Sequence, residues 1–567
     1  MRYTPWLTTE HRPDTKSAER MLSFPAIAGR KGEELAIAIW RYCVNRDYGF
    51  YHFWTPEEKT IDDDASPGGV KDPLKLINSY GGFLCGTAAM VEAWLWQQAG
   101  LEARGVGLTG HVVCEVFHGG GWHLLDADLQ AYHRLHAPLQ HVIASCADCI
   151  ADPTLVSQQK NPSEPYYLPD RRPEKMAEAC YKSGNITYYP KYVKAFHTME
   201  YCLRAGEEIV RYYGPLGRWF APPSWIESAR QFASEWNGSG PMERFEPHRT
   251  YGNGYFRYRP DLRAEEFLKG VLASQGFAPS AGGLLCELET SSLDIPVFSP
   301  YAIAGIHDEW QKTHESHDGA VVELLAKGAS GVRFFVSTDD GESFREIPLC
   351  PGAGAEGTTL YRADFTPYVE NYYRYIARIE VEGAGAVLAA LDITTWFMVN
   401  PGSLPMLRCG DNSVMLEAPF AAALPCVIKL TSRMDEYLVR MHGERVDEET
   451  ASIRAVDGAA EGIFRLAPPF GMGSGVLFFA SMQPAPGDEK YYEAVYEWSA
   501  SADGPWTEFY RTEVPHEIDG QGRWPWGEAA YFTCGEEPFS EVYVRVRSPF
   551  DIWEAEARID LAVSYTH

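Results

Sequence analysis

Two apolar spacings alternate through the first part of the chain. In EELAIAIWRYCV, residues 33–44, apolar side chains recur every three to four positions, the spacing of a helix with one buried face. In VVCEVF (112–117) and WHLLDAD (122–128) the alternation is close to two, the spacing of strands. This mixed pattern runs to about residue 170, where the proline-rich NPSEPYYLPDRRPE interrupts it, and it predicts an α+β unit over 1–170.

From 171 to 290 the periodicity fades into an irregular, aromatic stretch that either completes a cleft or joins domains. Between Arg211 and Arg263, 12 of 53 residues are Phe, Tyr or Trp, against 13% for the whole chain. Beyond 291, short alternating segments such as VRFFVSTDDGESFREI and EVYVRVRSPF predict antiparallel β-sandwiches over 291–400 and 401–567, divided near NPGSLP at 400–405. The stretch from Ser337 to Phe344 resembles the Asp-box hairpin of sialidases, a polar turn pinned by an Asp and capped by a ring. A shorter echo runs from Ser501 to Trp506.

Composition narrows the function classes. The 567 residues carry 50 Lys and Arg against 78 Asp and Glu, a net charge of -28, which opposes binding to nucleic acid or to an anionic membrane surface. No run of about 18 apolar residues occurs, so no membrane span and a cytoplasmic location are expected. Twelve scattered cysteines fit reduced thiols better than a disulfide framework. The lone CxxC, Cys146 to Cys149, sits in LQHVIASCADCIA, which reads as a helix with both thiols on one apolar face. Zinc-protease, phosphate-loop and dinucleotide signatures are missing, and neither metal nor cofactor is required.

Chemistry concentrates between Asn78 and Gln130. After Gly81-Gly82 the run from Gly86 to Gln98 is rich in helix formers, which places Cys85 at a helix N-terminus. Unsatisfied N–H groups and the helix dipole stabilise an anion there, so this thiol is placed for nucleophilic work. By strand parity His111, Val113, Glu115 and Phe117 share one face, as do Trp122, Leu124, Asp126 and Asp128 after the turn HGGG. If Phe117 pairs with Trp122, both aspartates fall on the side of His111. A thiol, a base and a carboxylate that fixes the imidazole tautomer are then within reach of one another. Pairing alone leaves Asp126 and Asp128 open as the orienting group.

These residues together resemble the transglutaminase-like superfamily, whose core is papain-like. Cys85, the Gly100 to Arg104 segment, His111, Glu115, Trp122 and Asp126 follow its order and spacing over about 50 residues. The resemblance implies Cys85 as nucleophile, His111 as base and Asp126 as orienting group. The chain departs from the pattern at Val112 and Val113, where many relatives carry an aromatic residue, and at Asp126-Ala127-Asp128 in place of Asp-Pro. Oxyanion donors are sought in the Cys85 N–H, Asn78 and Tyr80; His118 and His123 flank the turn and read as exposed surface positions within reach of the cleft rim; Glu115 pairs with Arg104 as support.

The expected activity is hydrolysis of an amide or ester through an S-acyl intermediate, on a peptide, glycan or glycoconjugate. Substrate contacts are expected from Trp122, Tyr212, Tyr213, Arg218, Trp219, Trp225, Arg249, Tyr251, Tyr255, Arg257, Tyr258 and Arg259, because rings pack on sugar C–H faces while polar groups bond hydroxyls. Two other readings compete. One is a glycoside hydrolase or lyase reusing the same cleft, with Arg249, Arg257 or Arg259 neutralising a uronate. The other is an inactive glycan-binding protein.

Overall fold

The computed structural model describes residues 5–45, 51–52, 70, 72–83, 85–158, 180–181, 186–189, 196–212, 252–304, 319–354, 357–417, 424–431, 434–446, 452–467, 472–483, 494–511, 526–533 and 540–561. Among these, no helix is long and apolar enough to cross a membrane.

Two helices and a small sheet form the N-terminal part. Helix α1, Gly32–Cys43, carries Glu33 and Glu34 in its first turn and Arg41 in its last, charges that complement the helix dipole. Helix α2, Cys85–Gln98, is buried along most of its length, and Trp96 donates from its indole to Ala36 O of α1 at 3.2 Å. Strands β1 (Glu102–Leu108), β2 (His111–His118) and β3 (Gly121–Leu125) form an antiparallel meander, and β4 (Thr187–Tyr189) adds to the free side of β1. Gly119 and Gly120 turn the β2–β3 hairpin with φ of 59° and 89°, the left-handed pair that two-residue hairpins favour. This turn sets Phe117 opposite Trp122, the expected register.

The sheet is covered on both faces. Ala103, Cys114, Val116 and Leu125 join a core with α1 and α2, while Val106, Val113 and Leu124 join a second cluster containing Cys146 and Cys149. Those two thiols are buried on helix α3, Cys146–Ala151. The helix is shorter than expected because Ser145 caps it, leaving 139–145 outside.

Contrary to the irregular reading of 171–290, strands β5 (Glu207–Arg211) and β6 (Gly252–Tyr258) lie within it. Both belong to the first sandwich, where β6 pairs with the long strand β7, Val387–Met398. Its eight-stranded sheet faces a five-stranded one across a core that includes Leu284, Leu324, Phe334, Ile379 and Ile393. A second sandwich of six and five strands lies C-terminal to the short turn Pro401–Ser403, around Phe464, Phe478 and Tyr496.

The first sandwich is no appendage. Tyr301, Ala302, Phe397, Met398, Val399 and Leu404 pack in the same cluster as Trp40, Leu95 and Trp96 of α1 and α2. Asn400, fully buried, donates from its side chain to Ile77 O at 2.7 Å and from its backbone to Asn78 O at 2.7 Å. Residues 76–80, which precede the Cys85 helix, are thereby bonded to the end of β7. The Asp-box-like turn also forms: the Asp339 carboxylate accepts from Ser343 N at 3.0 Å, and the Phe344 ring lies 3.6 Å from the Arg378 guanidinium.

Candidate active site

Helix α2 begins on Cys85 itself. Residues 76–80 form a π-turn closed by Gly81 at φ 65°, whose N–H bonds Leu76 O at 2.8 Å. That left-handed position suits glycine and reverses the chain just before the thiol. Cys85 is partly exposed, and the first-turn N–H groups of α2 have no partner within the helix.

His111 opens β2 at the end of the sheet beside the thiol and is 3% exposed. Its Nε2 lies 2.8 Å from Asp126 Oδ2, while Nδ1 lies 4.0 Å from Asp128 Oδ2. The Cys85 thiol lies within 4.8 Å of a ring nitrogen. Sγ of Cys85, a ring nitrogen of His111 and an Asp128 oxygen all lie within 4.8 Å of one another. Three groups that sequence parity brought to one side thus meet, and the structure assigns the short hydrogen bond to Asp126. Burial opposes a charge on His111, yet the charge and hydrogen bond of Asp126, the neighbouring Cys85 thiol and the charge of Asp128 outweigh it and hold the imidazole well above its usual range.

The aspartate turn is held from three directions. Asp126 exchanges backbone hydrogen bonds with Ala131, its Oδ1 accepts from Leu129 N at 2.9 Å, and Trp40 donates to Asp126 O at 3.0 Å. Glu92, two helical turns beyond Cys85 and fully buried, accepts from the Cys114 thiol at 3.1 Å. Burial and the nearby charge of Asp126 push Glu92 well above the usual carboxylate range. Its Oε1 has no hydrogen-bond partner among the described residues. The sequence reading missed Glu92, although a lone acid in the apolar run AAMVEAWLW was a visible signal.

Support by Arg104 and Glu115 is present and elaborate. Glu115 Oε2 accepts from Arg104 Nε and Nη2 at 2.8 and 2.6 Å, and Oε1 accepts from Cys146 N at 2.7 Å. The Arg104 guanidinium is sandwiched between the rings of Trp122 and Tyr188 at 3.9 and 3.8 Å, so Trp122 serves this network.

Other expectations are corrected. Asn78 is fully buried, and its amide donates to Thr15 O and Leu74 O, both at 3.0 Å, which leaves no proton for an oxyanion. Tyr80 donates to Asn371 Oδ1 at 3.2 Å inside the junction with the first sandwich. His118 and His123 are buried and stacked at 3.9 Å instead of lining a rim, with His123 facing Ile143 O and His118 O. Burial and the neighbouring His123 press His118 down to about 4.

Arg257 and Arg259 both pair with Asp392, at 2.7 and 2.6 Å, so the two guanidinium groups share one carboxylate. Tyr258 is buried beneath Arg204, 3.9 Å from its guanidinium. Tyr212, Tyr255 and Trp396 form a row of rings on one sheet face of the first sandwich, with centroids 5.0 Å apart for Tyr255 and Trp396 and 6.4 Å for Tyr212 with either. These strands differ from those bearing the reactive groups. Tyr213, Arg218, Trp219, Trp225, Arg249 and Tyr251 lie outside the described residues.

No known family and no curated protein matches this chain. Among solved structures, allantoicase from Saccharomyces cerevisiae aligns at 10% identity over 61% of this chain and 99% of its own, with a TM-score of 0.15. A tandem CBM22 domain from Paenibacillus barcinonensis Xyn10C aligns at 11% identity over 51% and 88%, with a TM-score of 0.16. A Paenibacillus xanthan lyase aligns at 10% identity over 51% and 25%, with a TM-score of 0.14. Scores of this size establish no shared architecture.

Proposed function

We propose that the chain is a transglutaminase-like thiol hydrolase that cleaves an amide or ester bond through an S-acyl intermediate. The observation that carries this reading is the placement of Cys85, at the first residue of a 14-residue helix, within 4.8 Å of a His111 ring nitrogen while His111 Nε2 bonds Asp126 at 2.8 Å. The Cys85 thiolate attacks the carbonyl carbon, and the oxyanion forms beside the first-turn N–H groups of α2. Collapse expels the leaving group, which takes its proton from the His111 imidazolium. Water then attacks the thioester, giving its proton to His111, and the acid departs. Asp126 holds the ring orientation and offsets the charge of the cation throughout.

A sugar-bearing substrate is favoured by the half-buried Tyr212 and Tyr255 rings beside Arg257 and Asp392, a set of faces and polar groups that suits pyranose rings. Competition labelling with iodoacetamide at pH 6 tests the thiol reading. Cys85 is expected to react faster than the other eleven cysteines. Equal rates, or hydrolysis of glycopeptides or oligosaccharides that survives Cys85→Ala, would rule it out; the second result would point to glycosidic chemistry instead.

A further inference from the structure

Besides Asp126, a second buried carboxylate faces the other nitrogen of the His111 ring. Asp128 Oδ2 stands 4.0 Å from Nδ1, with a side chain only 2% exposed. The donor types are those of a zinc-class ion: a soft thiolate, an imidazole nitrogen and a carboxylate oxygen. The far side of the imidazole is also arranged for a metal, since ligating histidines ordinarily donate their other ring N–H to a carboxylate, as Nε2 does to Asp126.

We infer that Cys85, His111 and Asp128 form a three-donor site for a zinc-class divalent cation, which occupies the thiol centre and blocks its attack on a carbonyl. The ligand atoms lie within 4.8 Å of one another. Tetrahedral zinc with bonds of about 2.0 to 2.3 Å needs separations of about 3.5 Å, a closure that side-chain rotations of about 1 Å supply. The fourth position faces the partly exposed side of Cys85 and takes water. Before binding, the Cys85–His111 pair holds one proton beyond that on Nε2, either on sulfur or on Nδ1. The metal displaces it, so one proton leaves for each cation bound while Nε2 keeps its own toward Asp126.

The inference goes beyond the thiol-hydrolase reading, and one experiment separates their failures. Full-length protein is stripped with a chelator and titrated with zinc chloride. Bound metal, proton release and alkylation of Cys85 are followed together. The expected result is one zinc and one proton per chain, slowing of Cys85 alkylation by about tenfold or more, and recovery on chelation. Asp128→Asn is expected to require about tenfold more zinc for the same protection, and Cys85→Ala, which leaves the aspartate turn intact, to lose the tight site. Equal protection in Asp128→Asn, or zinc uptake that leaves Cys85 alkylation unchanged, overturns the metal site. Slow alkylation of the metal-free wild type overturns the thiol enzyme and leaves the metal site standing if zinc still binds through Asp128.

Discussion

The two sandwiches share an architecture and differ in what they touch. The first contributes Tyr301, Phe397, Met398 and Leu404 to the core that also holds α1 and α2. Through Asn400 it bonds the turn preceding Cys85. The second encloses its own cluster around Phe464, Phe478 and Tyr496, and meets the rest through contacts such as Phe196 on Phe479 and Arg558 on Phe196 O. One sandwich is therefore part of the scaffold of the thiol site. The other stands beside it.

The largest expected effect breaks each core in turn. Phe397→Ala and Phe478→Ala both remove fully buried rings and should cost about 3 to 5 kcal/mol each. Only Phe397→Ala should also slow Cys85 alkylation, because its ring stacks on Tyr301 at 4.9 Å within the shared core. Equal slowing by both, read with melting curves, would erase the distinction between the sandwiches.

Asn400→Ala sharpens it with a smaller change. The variant loses the bond to Ile77 O and the one its Oδ1 accepts from Gly402 N at 2.9 Å, leaving buried polar groups unpaired at a cost of about 1 to 3 kcal/mol. Alkylation of Cys85 should slow while the second sandwich melts as in the wild type. An unchanged alkylation rate would show that the junction does not position the thiol.

Acidity separates the same regions. His111 is held above its usual range, so the stability it adds is complete below its unfolded value of about 6.5 and is lost as pH rises through the higher folded value. Glu497 of the second sandwich is opposed by burial but held low by Arg545 and Arg547, so its contribution is present above its unfolded value of 4.5 and is lost as pH falls through the folded one. Melting followed from pH 6.5 to 9 should show weakening of the N-terminal part that His111→Gln removes. A slope that persists in this variant would assign the effect to another group.

The smallest effect is expected at the rim of the first sandwich. Arg259 is largely exposed, and Arg257 still holds Asp392 without it, so Arg259→Ala should change stability by less than about 0.5 kcal/mol. A larger loss in thermal melting would mean that the outer face of this sheet matters more than its core contacts imply.

Local rules made much of the site legible. Parity and the HGGG turn set Phe117 against Trp122, and helix formers after Gly81-Gly82 placed Cys85 at a helix start. Adjacency in sequence misled at Asn78 and Tyr80, because a residue a few positions from the thiol can face the opposite way. Their side chains turn toward Thr15 and Asn371. The aromatic segment misled in a related way: composition counts rings without distinguishing those in a core, such as Tyr258, from those on a face, such as Tyr255.

By itself, the order of residues determined the meander, the helix beginning at Cys85 and the gathering of His111 with two aspartates, since periods of two and 3.6 and a two-residue turn act over short distances. Only the tertiary structure decided that Asp126 takes Nε2, that Asp128 faces the other ring nitrogen, that Glu92 is buried behind them, and that the first sandwich closes the core. Those outcomes depend on which surfaces exclude water together, and desolvation is a property of the assembled neighbours rather than of any one segment.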